Sequence, residues 1–432
     1  MTDPMGDTDV AAQLRRRRAA AADQWNLNDQ IVLIGAGEPI SIPGRGDLTY
    51  PFQAHAEYFY LTDRNLPGGV LAFDPKEGWK DFVAAISATE RLWLGLSPGD
   101  PDELTTGQLP DWLKSRSGRT VACLGVPPKG ISFDKPLSEK LELGLSAVRR
   151  PKDAVELERM RVAERATRAG LAAAVPLLRE GTTERAAQIE LEAAAFRDGA
   201  DAMAYETIVA SGPNSAALHF APGLRTMHDG ELVLIDAGAE YRGYASDITR
   251  TYPVGGRFTR EQEELHTLVR AAEMAAIERC RPGLEWRDVH LAAARVIADG
   301  LIGLDILRGD PDALVESGAV WLFFPHGIGH LVGLGVRDAG GRTAERRDDP
   351  PPFPNLRIDI ALEPGMVVTV EPGIYLVPAL LEDPERRARH RDEVEWARVD
   401  RMLEFGGIRI EDNVLITEDG HEVITADVPL LG

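Results

Sequence analysis

The stretch from Glu231 to Val254 carries two aspartates, Asp236 and Asp247, on apolar sequence that reads as two strands joined by a turn. Gly243 supplies the backbone freedom that a tight hairpin needs. A turn centred on Tyr241 and Arg242 makes the two aspartates a directly opposed cross-strand pair, with Cβ atoms roughly 5 Å apart. Carboxylates that close, on apolar strands, repel unless a cation sits between them. Two-metal hydrolytic sites hold their ions about 3.5–4 Å apart, a gap this pair could span. The bland alternative is a surface hairpin with solvated acids, and the rest of the chain decides against it.

The pattern around Asp236 recurs. Gly230-Glu-Leu-Val-Leu-Ile-Asp236-Ala-Gly238 matches Gly365-Met-Val-Val-Thr-Val-Glu371-Pro-Gly373. In each, a glycine turn leads into an apolar strand, an acid closes the strand and a glycine follows. Asp247, one strand after Asp236, has its counterpart in Glu411, within Gly407-Ile-Arg-Ile-Glu411-Asp-Asn-Val. Two αβ halves with equivalent acids suggest a pseudo-twofold domain whose acids meet at its centre. His330 lies in His326-Gly-Ile-Gly-His330, where no glutamate follows His326 and two glycines argue against the helical zinc motif. A lone histidine is more often a satisfied core residue than a ligand, but glycines on both sides permit close backbone approach. Four acids and one histidine form an oxygen-rich set that suits Mn²⁺ or a similar divalent ion better than metals that thiolates select.

These residues need a scaffold. At 432 residues the chain is too long for one ordinary core, and two domains are expected. Residues 1–150 read as an α/β domain. Val10–Gln24 is helical, and the Arg15–Arg18 run within it reads as a solvated face. Gln30–Gly35, Tyr58–Leu61, Gly69–Phe73 and Asp81–Ile86 read as strands, with Pro98–Pro101 and Val126–Gly130 as connectors. Gly35-Ala-Gly37 invites a dinucleotide reading, but Pro39 and Ile40 interrupt the fingerprint and no helix starts there. Near Arg149–Asp153 the character changes. Asp153-Ala-Val-Glu156 is a capping-box helix start, followed by a helix to about Leu178 and a second over Thr183–Asp198. Residues 151–432 form the second domain, with a charged insertion between Val377 and Phe405 that reads as an exposed helical hairpin or lid.

Composition excludes several classes. The net charge of −21 is spread along the chain, which disfavours nucleic acid and anionic membrane as partners. Cys123 and Cys280 stand far apart, so a reducing, cytoplasmic setting is expected rather than a disulfide framework. The polar, acidic start from Met1 to Asp9 is no signal peptide. Ser317–Val336 lacks Asp, Glu, Lys and Arg, but Pro325, its glycines and two histidines make it a buried loop and strand rather than a membrane span.

With these residues in hand, the sequence resembles the M24 metallopeptidases, and within them the proline-specific branch of Xaa-Pro dipeptidase (prolidase) and aminopeptidase P. The resemblance is strongest from Tyr205 to Ile416 and weaker over the N-terminal domain. It implies an α/β (α+β) chain: a creatinase-like N-terminal α/β domain and a C-terminal pita-bread domain. It implies two divalent ions, Mn²⁺ first with Co²⁺ or Zn²⁺ as alternatives. Asp236 would bind one metal, Asp247 and Glu411 would bridge both, and His330 and Glu371 would complete the other. Glu371 also matches the acid that moves protons for a bridging hydroxide. His219, in Ser215-Ala-Ala-Leu-His219, matches a histidine that contacts substrate. His326 matches one that stabilises the tetrahedral intermediate, and Tyr205 matches a tyrosine beside the metals. Arg357, in Pro354-Asn-Leu-Arg357, matches the prolidase arginine that holds a dipeptide carboxylate, and Arg409 matches another active-site arginine. One position departs. Where the family reads V-H-D, this chain reads Val336-Arg337-Asp338, and Arg337 can donate hydrogen bonds but cannot exchange protons near neutrality.

The expected activity is hydrolysis of an Xaa-Pro bond in a small peptide. The Arg357 match and the insertion before Phe405 favour dipeptides, with aminopeptidase action on longer peptides as the alternative. A creatinase-like amidinohydrolase and a non-catalytic binding member of the fold are both opposed by the complete ligand set. A homodimer is expected by analogy with the family.

Overall fold

The computed structural model describes residues 7–94, 103–343, 345–346 and 355–429. The expected connector Pro98–Pro101 lies outside them. Two compact units divide the chain, Met1–Arg149 and Arg150–Gly432. Among the described residues no helix is long and apolar enough to cross a membrane. Cys123 and Cys280 are both buried, free thiols.

The N-terminal unit is built on a five-stranded mixed sheet. Its order runs Leu104–Thr105, Gly78–Val83, Val70–Asp74, Ile31–Gly35, Val121–Gly125. The central strands Ile31–Gly35 and Val70–Asp74 are buried along their whole length, apolar except for Asp74 at the end of the second. Tyr58–Leu61 is not a strand but the middle of the helix Ala56–Thr62. Its ends override its aromatic, strand-prone composition. The His55 side chain accepts the Glu57 N–H, and Asp63, at φ 57°, stops the helix in the left-handed region. The Arg15–Arg18 run is likewise only half solvated. Arg17 is buried, stacks 4.7 Å over the Tyr60 ring and donates to the Tyr60 carbonyl at 3.0 Å.

The second unit starts on the capping box that the sequence announces. Asp153 Oδ1 accepts the N–H groups of Val155 and Glu156 at 2.9 and 3.0 Å, and Glu156 reaches back to the Asp153 N–H at 3.0 Å. Helices Ala154–Ala174 and Glu184–Arg197 pack against an antiparallel sheet ordered Ile248–Pro253, Leu232–Ala237, Ile208–Ser211. Leu171, Leu191, Val209, Val233 and Ile235 fill that core. Helices Arg260–Ile277 and Trp286–Gly303 serve a second antiparallel sheet, ordered Val367–Val370, Asp412–Ile416, His421–Val423. Trp286, Ile297, Phe323, Val368 and Val414 fill the larger core there. The two repeats of the sequence thus become two sheets, and their seam holds the acids. At the seam Glu411 donates its N–H to the Thr249 carbonyl at 3.0 Å, and Thr251 Oγ1 donates to the Arg409 carbonyl at 3.0 Å.

Two expectations fail here. The hairpin turns at Arg242 and Gly243, with φ of 52° and 78°, one residue later than the sequence reading places it. Tyr241 pairs with Tyr244, and Asp236 pairs with Thr249 rather than with Asp247. Two successive residues at positive φ are the signature of the turn that matches strand twist, and Arg-Gly supplies them less obviously than Asn-Gly. The insertion Val377–Phe405 does form helices, Pro378–Leu381, Pro384–Arg389 and Trp396–Met402, but it is no lid. Leu381, Val394, Val399 and Met402 are buried in the main core, and Val394 bridges to Leu307.

Candidate active site

Every residue singled out from the sequence lines one cavity of about 580 Å³. Asp236 is next to last in the strand Leu232–Ala237, Asp247 precedes Ile248–Pro253, Glu371 follows Val367–Val370, and Glu411 precedes Asp412–Ile416. His330 stands in the loop that bridges to Val368 through Leu331. The glycine after each strand-closing acid has a job. A Cβ at Gly238 would meet the Ser246 carbonyl at 1.9 Å and the Tyr205 ring at 2.8 Å, and one at Gly373 would strike the Tyr375 hydroxyl at 2.5 Å. Each glycine lets a tyrosine lie against its acid's strand.

Asp247, His330 and Glu411 offer ligand atoms that all lie within 4.8 Å of one another. His330 Nε2 is 3.3 Å from Asp247 Oδ2 and 3.8 Å from Glu371 Oε1. Its Nδ1–H donates to the Leu331 carbonyl at 3.0 Å, so Nε2 keeps its lone pair for the centre. Tyr205 joins the first pair of acids: its hydroxyl lies 2.6 Å from Asp236 Oδ1 and 2.5 Å from Asp247 Oδ1. One hydroxyl proton cannot serve both, so this close set of oxygens calls for positive charge between them.

The electrostatics say the same. Burial, and then the neighbouring acids, push the Glu411 carboxyl far above its usual range. Burial raises Asp236 although Arg409 pulls against it. Burial pushes Glu371 up to about 7, with His330 and Arg409 opposing. Burial works against charge on His330, but the Asp247 hydrogen bond and charge outweigh it and raise the imidazole. Asp236, Asp247 and Glu411 are buried and Glu371 is half-buried, and with the fixed charge of Arg409 beside them the set favours binding divalent cations. The donors are carboxylate oxygens and one imidazole, with no thiolate, which fits a hard or borderline divalent ion.

The supporting contacts include residues the sequence reading missed. Thr249 donates to Glu411 Oε2 at 2.6 Å and accepts from Arg409 Nε at 3.1 Å. Arg409 also pairs with Asp236 Oδ2 and donates from Nη1 to the Tyr375 hydroxyl at 2.9 Å. Tyr375 in turn donates to His326 Nε2 at 2.9 Å, while His326 Nδ1–H is turned to the Gly327 carbonyl at 2.9 Å. His326 is thus neutral, pushed down to about 3 by burial and then by Arg409, and its ring is oriented by Tyr375. Tyr375 was signalled only by its place two residues after Gly373 in the second repeat. His219, Arg337 and Arg357 are exposed on the cavity wall. Among the described residues, neither Arg337 nor Arg357 has a hydrogen-bond or ion-pair partner.

Comparison with known proteins is consistent over nearly the whole chain. The model of metallopeptidase family M24 matches residues 158–418. A probable Xaa-Pro aminopeptidase pepP of Botryotinia fuckeliana is 33% identical over 404 residues, 88% of this chain and 86% of that protein. A probable Xaa-Pro aminopeptidase PEPP of Ajellomyces capsulatus is 31% identical over 436 residues, 95% of this chain and 92% of that protein. Among solved structures, the aminopeptidase PepP of Pseudomonas aeruginosa superposes with a TM-score of 0.77 at 31% identity, covering 97% of this chain and 95% of that one. Zinc-substituted aminopeptidase P of E. coli in complex with product superposes with a TM-score of 0.79 at 29% identity, with the same coverage.

Proposed function

The chain belongs to metallopeptidase family M24, and from that premise we infer that it is an Xaa-Pro aminopeptidase, removing the residue ahead of a proline from the N-terminus of a peptide. Its second unit has the pita-bread fold. The sequence reading ranks dipeptides first and longer peptides second. The relatives that span the chain reverse that order. One argument for dipeptides also loses its force, because the insertion Val377–Phe405 is anchored in the core and lines no part of the cavity.

The observation that carries the hydrolytic reading is the convergence of Asp247, His330 and Glu411 within 4.8 Å on the floor of a substrate-sized cavity. We assign the site two divalent ions, Mn²⁺ first, with Asp236 and Glu371 flanking the three central donors. When bound, the ions act as Lewis acids toward the scissile carbonyl and lower the pKa of a bound water. The protein's own contributions follow from the contacts. Glu371, its carboxyl pushed up to about 7, accepts and returns a proton at its carboxylate. Tyr205 holds Asp236 and Asp247 at a set spacing. Arg409 neutralises the acid beside it and, through Tyr375, fixes the ring of His326. His219, Arg337 and Arg357 on the wall are left to bind peptide, the arginines as donors to a carboxylate or carbonyl.

Comparing Ala-Pro-Ala, Ala-Pro and Ala-Ala-Ala as substrates under Mn²⁺ tests the reading. Ala-Pro-Ala is expected to release alanine fastest, and Ala-Ala-Ala to resist. A clear preference for Ala-Pro would make the protein a dipeptidase, and hydrolysis of none would refute the catalytic reading.

A further inference from the structure

Asn413 stands two residues after Glu411 and is fully buried. It is not among the residues that line the cavity. Its side chain grips the backbone of Asp247 at both polar groups. Oδ1 accepts the Asp247 N–H at 3.0 Å, and Nδ2 donates to the Asp247 carbonyl at 2.7 Å. That is the pairing a neighbouring strand's peptide would give, supplied here by an amide side chain. Asp247 needs it because it falls in the break between Tyr244–Ala245 and Ile248–Pro253, where no ladder reaches. The partners also dictate which way the amide points: a backbone N–H must meet the oxygen and a carbonyl the nitrogen.

The amide is itself held rigidly. Asn413 N–H donates to Thr425 Oγ1 at 2.9 Å, and its carbonyl accepts the Ile424 N–H at 3.0 Å. The strand that carries Asn413 also positions Glu411, whose N–H donates to the Thr249 carbonyl at 3.0 Å and whose Oε2 takes the Thr249 hydroxyl at 2.6 Å. Asp247 and Glu411 come from different sheets. Thr249 ties one of them across the seam and Asn413 ties the other.

We propose that Asn413 is a positioning residue for the metal centre: by clamping the Asp247 backbone to the Glu411 strand it sets the spacing of the two central acids, and with it the affinity for divalent cations. This rests on the metal assignment made above. Only a neutral amide offers a donor and an acceptor together at these two points. Leucine of similar bulk offers neither, and aspartate keeps the acceptor while losing the donor.

The test uses full-length protein loaded with Mn²⁺, with free Mn²⁺ followed by electron paramagnetic resonance against graded chelator, alongside thermal unfolding of the stripped protein. The neighbouring buried Val414, part of the main core, provides the control. Asn413→Leu is expected to weaken Mn²⁺ retention by about 10–100-fold, the usual cost of losing a group that orients a metal ligand. Asn413→Asp should fall between it and the wild type. Val414→Ala should lower the melting temperature and retain Mn²⁺ like the wild type. Wild-type retention in both Asn413 variants would overturn the proposal, and so would equal weakening by Val414→Ala, which would make the role merely structural. If the leucine variant does not fold, the aspartate variant, nearly unchanged in size, decides alone. A wild type that holds no Mn²⁺ refutes the metal assignment itself, an outcome distinct from a wild type that binds while the variants match it.

Discussion

Arg409 is a fixed, buried cation beside the acids of the site, and replacing it with methionine tests the electrostatic account. Arg409 is buried, pairs with Asp236, and donates to Thr249 and Tyr375. Removing one partner of a buried ion pair costs about 3–5 kcal/mol, because the other charge is left uncompensated. At about 2–4 °C per kcal/mol for a domain of a couple of hundred residues, the metal-free variant should melt roughly 6–20 °C below the wild type. The deficit must depend on pH. Asp236, Glu371 and Glu411 all have folded-state pKa values raised above their ordinary ones, Glu371 to about 7. A carboxyl raised in the folded state contributes stability that is fully present below its unfolded pKa, near 4, and is lost as pH rises through the folded value. The metal-free protein should therefore weaken as pH rises from about 4 through 7 and beyond, and Arg409→Met should weaken more steeply, since the arginine no longer opposes the rise. Saturating Mn²⁺ should narrow the gap, because the ions supply the missing positive charge and stabilise by mass action, about 2.7 kcal/mol at a hundred times Kd. Differential scanning calorimetry of both proteins, in chelator and in Mn²⁺, at several pH values reads all of this. A deficit that is independent of pH and of metal would refute the charge-compensation argument and leave Arg409 as a packing residue.

Three further outcomes are expected. Chelation should abolish peptidase activity, Mn²⁺ or Co²⁺ should restore it, and elemental analysis of reconstituted protein should find about two ions per chain, following two-metal precedent. Arg357→Ala should reduce kcat/KM on Ala-Pro by about tenfold to a hundredfold if its exposed guanidinium holds a free carboxylate, and should leave Ala-Pro-Ala little changed; equal slowing of both in steady-state assays would show that it does not. Asp153→Ala, which removes a cap that accepts two helix N–H groups, should cost about 0.5–2 kcal/mol in urea unfolding of the catalytic unit without changing the Mn²⁺ titration.

What the sequence made legible was whatever repeats or punctuates. The glycine-strand-acid-glycine repeat placed Asp236 and Glu371 at corresponding strand ends, and the capping box placed the start of the first long helix at Asp153. The contacts that tune the site stayed hidden because they come from residues of ordinary type at unremarkable spacing. Thr249, Tyr375 and Asn413 matter through partners 162, 34 and 166 positions away. Tyr58–Leu61 was misread because aromatic composition favours a strand, while the helix is set by its two ends and by Arg17 stacked on Tyr60. The insertion is helical and largely exposed as expected, but its lid alternative fails because a high density of charge hides the few apolar residues, Leu381, Val394 and Val399, that bind it to the core.

The one-residue error in the hairpin turn is the most instructive, because it bears on how the acids are spaced. A turn at Tyr241 and Arg242 would set Asp236 directly against Asp247, with Cβ atoms roughly 5 Å apart and little room between them. The observed turn at Arg242 and Gly243 pairs Asp236 with Thr249 instead. Asp247 then lies diagonally from Asp236, at a separation of roughly 7–8 Å for such neighbours. The wider spacing has two consequences. It admits the Tyr205 hydroxyl to both carboxylates, and Gly238, whose Cβ would collide with Ser246 and Tyr205, is what lets the tyrosine in. It also puts Thr249 opposite Asp236, where its hydroxyl reaches Glu411 on the other sheet. A directly opposed pair would confine the acids to one hairpin, whereas the diagonal one opens the site toward the seam, and only there can acids from both sheets share a cation.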